Sequence, residues 1–238
     1  MSWKQMRALR LFSAPITSAR TIPRPSTRLK IGFLATLCAL ACGHTGLTDE
    51  TVPIIRIEED WVVEIGVPDP EGDAPQIINV FTPNSDLERA YSVFELNHST
   101  QPEYGSGGMQ LQAWDLGELV DYGNRLAPQA LSVENEVVSY TLAMSLSDGQ
   151  LIFRVLNGSS ETWGNFGGES FLKASLNSSL ANLNSYSPDV STQHSRIGYA
   201  SHRVKRFRLA EVRYYSAAGL VSTDTTSRIV FEHPAEQF

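Results

Sequence analysis

Nine consecutive residues, Val138-Ser139-Tyr140-Thr141-Leu142-Ala143-Met144-Ser145-Leu146, alternate without a break. The large side chains all fall on one parity. Ser139, Thr141, Ala143 and Ser145 fall on the other. A period of two is the geometry of a strand, whose successive side chains point to opposite faces. One face then needs a core, and the other is small and polar. Ser147-Asp148-Gly149-Gln150 supplies a turn, and residues 151–156 read as the returning strand of a hairpin.

The same reading predicts strands over 52–57, 61–65, 76–82, 91–96, 109–114, 170–176, 206–215 and 228–232. Phe207 and Leu209 share one parity, while Val212 and Tyr214 share the other. This slip at Ala210-Glu211 predicts a β-bulge. Short helices are predicted at 86–90 and 176–184. About ten strands separated by polar turns predict an all-β fold, a two-sheet antiparallel β-sandwich. Residues 51–238 form its single domain, 42–50 a short linker, and 1–41 a targeting segment.

The targeting segment is read from charge. Residues 1–41 hold Lys4, Arg7, Arg10, Arg20, Arg24, Arg28 and Lys30 and no acid. The apolar run Ile31-Gly32-Phe33-Leu34-Ala35-Thr36-Leu37-Cys38-Ala39-Leu40-Ala41 is shorter than the ~20 residues that span a bilayer. Basic flank, short apolar run and small-x-small end predict a secretory signal, hence export and no transmembrane span. An organelle transit peptide is the alternative, but such peptides are amphipathic rather than bluntly apolar. The two cysteines, Cys38 and Cys42, lie in this segment and directly after it, which excludes disulfides and thiolate chemistry from the chain beyond Cys42. Ala39-Leu40-Ala41-Cys42 resembles a lipobox with its Leu and small residue exchanged. Lipidation of Cys42 and plain cleavage after Ala41 both stay open. In the first case the lipid anchors the protein to a membrane. From Cys42 onward, 12 basic residues face 26 acids, about −14. Nucleic acid is therefore not an expected partner, since its binding depends on neutralising phosphates.

A strand ending in Asn157-Gly158 precedes Thr162-Trp163-Gly164. Later Ile197-Gly198-Tyr199-Ala200 leads into Phe207-Arg208-Leu209-Ala210-Glu211-Val212-Arg213-Tyr214-Tyr215. This order resembles a concanavalin A-like lectin/glucanase (laminin G-like) jelly roll over the C-terminal half. The series Trp61…Asp69-Pro70…Ala74-Pro75-Gln76…Phe94-Glu95-Leu96-Asn97-His98 resembles an uncharacterised family of exported bacterial proteins. The first resemblance implies a jelly-roll sandwich and carbohydrate as the ligand class. Neither supplies a catalytic or binding residue.

Several residue groups are candidates for chemistry. Glycoside hydrolysis uses two carboxylates about 5–5.5 Å apart in retaining enzymes. Glucanases of the jelly-roll class resemble E-x-D-x-E or E-x-D-x-x-E on one strand. Here Glu58, Asp60 and Glu64 give E-x-D-x-x-x-E, one residue too long, and the bland reading is a solvated acidic lead-in to a strand. Asp69, Glu71 and Asp73 alternate around Gly72 and offer hard oxygen ligands to calcium, although the two flanking prolines already explain a turn. Otherwise no cofactor is expected. Arg206 and Arg208 sit outward in a basic strip with Arg203, Lys205 and Arg213. They either bind an anionic glycan through guanidinium forks or pair with surface acids across strands. Gln110, Gln112 and Trp114 share the parity opposite to Met109, Leu111 and Ala113, a polar and aromatic face suited to sugar. Trp163, among Gly164, Gly167 and Gly168, is either a second sugar platform or an anchor tucked over the core edge. The anchor is preferred. The expected protein is exported and non-catalytic, with a glycan as partner. A glycoside hydrolase using Glu58, Asp60 or Glu64 and a structural envelope protein are the rivals.

Overall fold

The computed structural model describes residues 51–66, 75–87, 89–97, 108–126, 131, 133–161 and 163–234. All of them belong to a unit spanning Asp49–Phe238. The expected targeting segment, Cys42 and the candidate ligands Asp69, Glu71 and Asp73 lie outside the described residues.

Thirteen strands are described. The first is β1 (Arg56–Ile65). Next come β2 (Ile77–Phe81), β3 (Ala90–Leu96), β4 (Gly108–Asp115) and β5 (Glu118–Leu126). They are followed by β6 (Val137–Ser147), β7 (Gln150–Ser160), β8 (Gly164–Phe166) and β9 (Lys173–Asn177). The last are β10 (Arg196–Ile197), β11 (Val204–Ser216), β12 (Gly219–Asp224) and β13 (Arg228–Glu232). An eight-stranded sheet runs β12-β11-β1-β6-β7-β8, with β13 also on β11 and β9 also on β7. A five-stranded sheet runs β10-β2-β3-β4-β5. Every pairing is antiparallel.

The inner faces of the two sheets meet in one core. From β6 and β7, Val138, Tyr140, Leu142, Met144, Phe153 and Val155 are buried there, as the alternation requires. Phe94 of the small sheet packs edge-on against Tyr140 of the large one, with ring centroids 5.2 Å apart, and Phe81 meets Phe153 at 6.2 Å. Tyr140 donates its hydroxyl proton to Asn79 Oδ1 across the same gap, at 2.6 Å. At one side the sheets are tied together by Ser175 N on Asp121 Oδ2 and Arg125 Nε on Phe171 O, both 2.9 Å. The fold is thus an all-β, two-sheet antiparallel sandwich.

The structure corrects several expectations. Residues 52–57 and 61–65 are not two strands, because β1 runs unbroken through Glu58, Glu59 and Asp60. It is also central, paired with β6 on one edge and β11 on the other. Neither expected helix is seen among the described residues: Leu87 and Arg89 are turn residues and Ala90 already begins β3, while 176–184 finishes β9 and then bends. The helix lies instead at α1 (Pro188–His194), with Pro at its start and Asp189 in its first turn. That placement suits a residue lacking an N–H and an acid near the positive end of the helix. β5 and β12 were not expected, since neither alternates cleanly. Leu119, Val120, Leu220 and Val221 are exposed. The bulge at Ala210 is present: Asp60 faces Glu211 and Trp61 faces Leu209, leaving Ala210 without an opposite residue.

Leu142 is buried against this core while Ser139 is half-exposed on the other face. Leu142→Ala is expected to lower unfolding free energy by about 2–5 kcal/mol, through lost burial and the cavity left behind. Ser139→Ala is expected to leave it nearly unchanged. Urea denaturation of both variants checks the pair.

Candidate functional site

Alternation along β3 and β4 turns Phe94, Leu96, Met109 and Leu111 inward and leaves a polar, aromatic outer face on the small sheet. Register then sets the neighbours: Tyr91 lies opposite Trp114, Val93 opposite Gln112, and Glu95 opposite Gln110. Tyr122 and Asn124 of β5 extend the last two rows. The Tyr91 and Trp114 rings are parallel to within 1°, with centroids 6.0 Å apart.

A directed chain of hydrogen bonds sets the indole. Trp114 Nε1 donates to Gln112 Oε1 at 2.8 Å. Gln112 Nε2 donates to Gln110 Oε1 and, at 3.4 Å, to Glu95 Oε1. Gln110 Nε2 donates to Asn124 Oδ1 at 2.8 Å, and Gln76 Nε2 to Glu95 Oε2 at 2.9 Å. Gln110 and Gln112 are only 2% and 5% exposed, so their amides serve each other and the indole rather than solvent. Trp114 and Tyr91 are half-buried, and Tyr122 is 56% exposed. The accessible part of this face is therefore chiefly aromatic, with Asn124 exposed beside it and a fixed polar layer behind. Burial raises the Glu95 carboxyl to about 7, against partial relief from Arg196, Gln112 and Gln76.

Sequence parity identified Gln110, Gln112 and Trp114 as one face, and the structure brings them together. It could not supply Tyr91 and Glu95, whose place beside them depends on strand register. Trp163 is not part of this group. It sits in the turn between β7 and β8, on the other sheet, half-buried against the core. Its backbone N donates to Ser160 Oγ at 3.1 Å, and its Nε1 is buried without an acceptor among the described residues. Gly164 and Gly167 take positive φ, +67° and +100°. A Cβ on Gly167 would also come within 2.6 Å of the Leu156 carbonyl, so this bend requires glycine.

Glu58, Asp60 and Glu64 do share the outer face of β1, but ion pairs hold them. Arg213 Nε bonds Glu58 Oε2 at 2.9 Å, Nη1 and Nη2 bond both Asp60 oxygens at 2.5 and 2.9 Å, and Nη1 also reaches Glu211 Oε1 at 2.8 Å. Glu58 is additionally engaged by Arg56 and by the Tyr215 hydroxyl. Arg206 bonds Glu232 through Nε at 2.9 Å and lies 3.9 Å from Glu64. Arg208 reaches Ser227 Oγ at 3.5 Å. Within the basic strip, Arg206 and Arg213 thus pair with acids on neighbouring strands, whereas Lys205 reaches Asn135 and Arg203 the Leu131 carbonyl.

An unforeseen carboxyl lies inside. Glu59 has 0% exposure between core residues Ile57 and Trp61. Tyr186 Oη donates to its Oε1 at 2.6 Å, and Trp61 Nε1 donates to its Oε2 at 2.9 Å. Burial drives its pKa from the ordinary 4.5 up to about 7, and those two donors offset only part of the effect.

No protein-family model and no curated protein matches the chain. Among solved structures it is similar to peanut lectin with a nine-residue peptide (PVIWSSATG), at 12% identity and a TM-score of 0.31. The match covers 55% of this chain and 66% of that one. At that level the likeness carries neither ligand nor mechanism to this chain.

Glu59 and Glu95 give stability a definite pH dependence. Each holds its proton in the folded state at pH values where the unfolded chain has released it. Their contribution is therefore fully present below about 4.5 and is lost as pH rises through about 7. Glu59→Gln is expected to flatten the fall in unfolding free energy across that interval, and adding Glu95→Gln to flatten it further. Urea denaturation at a series of pH values reads this slope, and an unaltered slope in the double variant contradicts the assignment.

Proposed function

We propose that this chain is an exported, non-catalytic β-sandwich that binds carbohydrate through the outer face of its five-stranded sheet. The observation that carries this reading is the parallel Tyr91 and Trp114 pair, with its indole fixed by Gln112. Rigid aromatic rings match the apolar face of a pyranose and lose little conformational freedom on binding. Tyr122 and Asn124 beside them present polar groups for the sugar hydroxyls. Gln110 and Gln112 act as positioning residues beneath the platform. Trp163 is an anchor for the turn between β7 and β8.

Export rests on the basic leader and short apolar run of residues 1–41, with Cys42 the candidate point of lipid attachment and Asp69, Glu71 and Asp73 the candidate calcium turn. The hydrolase alternative is less favoured, because Arg213 holds both Glu58 and Asp60 in ion pairs. A glycan array on the protein distinguishes binding from turnover. Trp114→Ala is expected to abolish glycan binding while leaving the melting temperature close to that of the parent. Trp163→Ala is expected to do the reverse, costing about 2–3 kcal/mol and sparing binding. Full binding by a folded Trp114→Ala variant overturns the reading.

A further inference from the structure

We infer that the outer face of the eight-stranded sheet carries a second ligand site, a groove suited to a neutral, hydroxyl-rich saccharide bound without aromatic stacking. The groove has a volume of about 470 Å³ and lies across β11, β1, β6 and β7. This is within the usual range of small-molecule sites, roughly 300–1,000 Å³.

Two bulges build it. In β11, Phe207 and Leu209 face the core, and uninterrupted alternation would send Glu211 and Arg213 inward as well. The extra residue Ala210 reverses the parity, so Val212 enters the core and Glu211 turns outward. In β7, Phe153 and Val155 face the core. There the extra residue Leu156 turns Asn157 and Ser159 outward. The two bulges stand level with each other on either side of β1 and β6. The result is a continuous cross-strand row, Glu211–Asp60–Thr141–Asn157, with Ser139 and Ser159 opposed in the row beside it. Three inter-strand spacings give the first row a length of about 14 Å, which suits a short oligosaccharide laid across the strands. Bulges of this kind commonly re-aim side chains beside functional sites.

The chemistry of the lining selects the ligand class. Asp60 is already neutralised and oriented by Arg213 and by Thr141 Oγ1, which donates to its Oδ1 at 2.6 Å. Glu211 Oε1 accepts from the same guanidinium at 2.8 Å, so both carboxylates that line the groove are held in ion pairs by Arg213. Ser139, Asn157 and Ser159 each carry both a donor and an acceptor, as a sugar hydroxyl does. Their side chains have no protein partner among the described residues. Trp61 and Tyr140 pass under the groove but turn their rings into the core, so no aromatic surface is offered. This site shares no residue with the Trp114 face, so either can fail while the other stands.

The test is an amide-shift titration of the Trp114→Ala protein, and of the parent, with short neutral gluco-, manno-, galacto- and xylo-oligosaccharides. At least one series is expected to shift the amides of Ser139, Asn157 and Ser159 saturably in both proteins. Ser139→Ala with Asn157→Ala is expected to weaken that binding about tenfold with little change in melting temperature. Ser159→Ala, at an exposed position, gives a smaller loss and serves as the second variant. Three outcomes overturn the inference: no groove amide moves with any oligosaccharide, the shifts survive unaltered in the variants, or the same amides respond only to oligolysine.

Discussion

Strand β1 is bonded on both edges, to β6 and to β11, and the rest of the molecule is arranged around that double pairing. Its alternation assigns each neighbour to one side. Ile57, Glu59, Trp61, Val63 and Ile65 point into the core, while Glu58, Asp60, Val62 and Glu64 point out. A slip of one residue would exchange these sets and expose the whole apolar row. The register that buries Trp61 against Phe207 is therefore the same register that places Asp60 between Glu211 and Thr141. Core and groove are two faces of one constraint.

The polar groups on this strand are balanced differently on the two sides. Outside, Arg213 spans Glu58, Asp60 and Glu211, and these bonds hold its guanidinium firmly protonated. Inside, Glu59 meets no cation at hydrogen-bond distance among the described residues, and the Arg228 charge acts on it only from farther away. It keeps its place by accepting from Tyr186 and Trp61, with burial favouring its neutral form. Tyr186 precedes α1 and also stacks edge-on against Phe81 and Tyr214. The buried carboxyl thus ties the segment leading into the helix to the middle of the large sheet. A hydrophobic residue at this position would pack but would leave the Tyr186 hydroxyl and Trp61 indole without acceptors.

Much of this was legible wherever alternation was intact. The hairpin of β6 and β7 follows directly from residues 138–156, and the bulge at Ala210 follows from the change of parity between Leu209 and Val212. The outward set Gln110, Gln112 and Trp114 follows in the same way. Legibility failed where a polar residue occupies a core position. Glu59 interrupts the apolar row of β1, so one central strand looked like two short ones with an acidic gap. It failed again at Asn157-Gly158, which signals a turn but continues as strand through a bulge to Ser160. Partners set by register, such as Tyr91 for Trp114, have no local signature. Nor does the burial of Gln110 and Gln112, which makes them supports for the indole rather than contacts for a ligand.

Native-state hydrogen exchange on β1 tests the organising role of this strand most directly. The amides of Ile57, Glu59, Trp61 and Val63 are expected to exchange only through global unfolding, with the free energy measured by denaturant. Those of Leu220 and Val221 on the edge strand β12 are expected to exchange through local opening at much lower cost. Protection in β1 equal to or weaker than that in β12 would contradict the account.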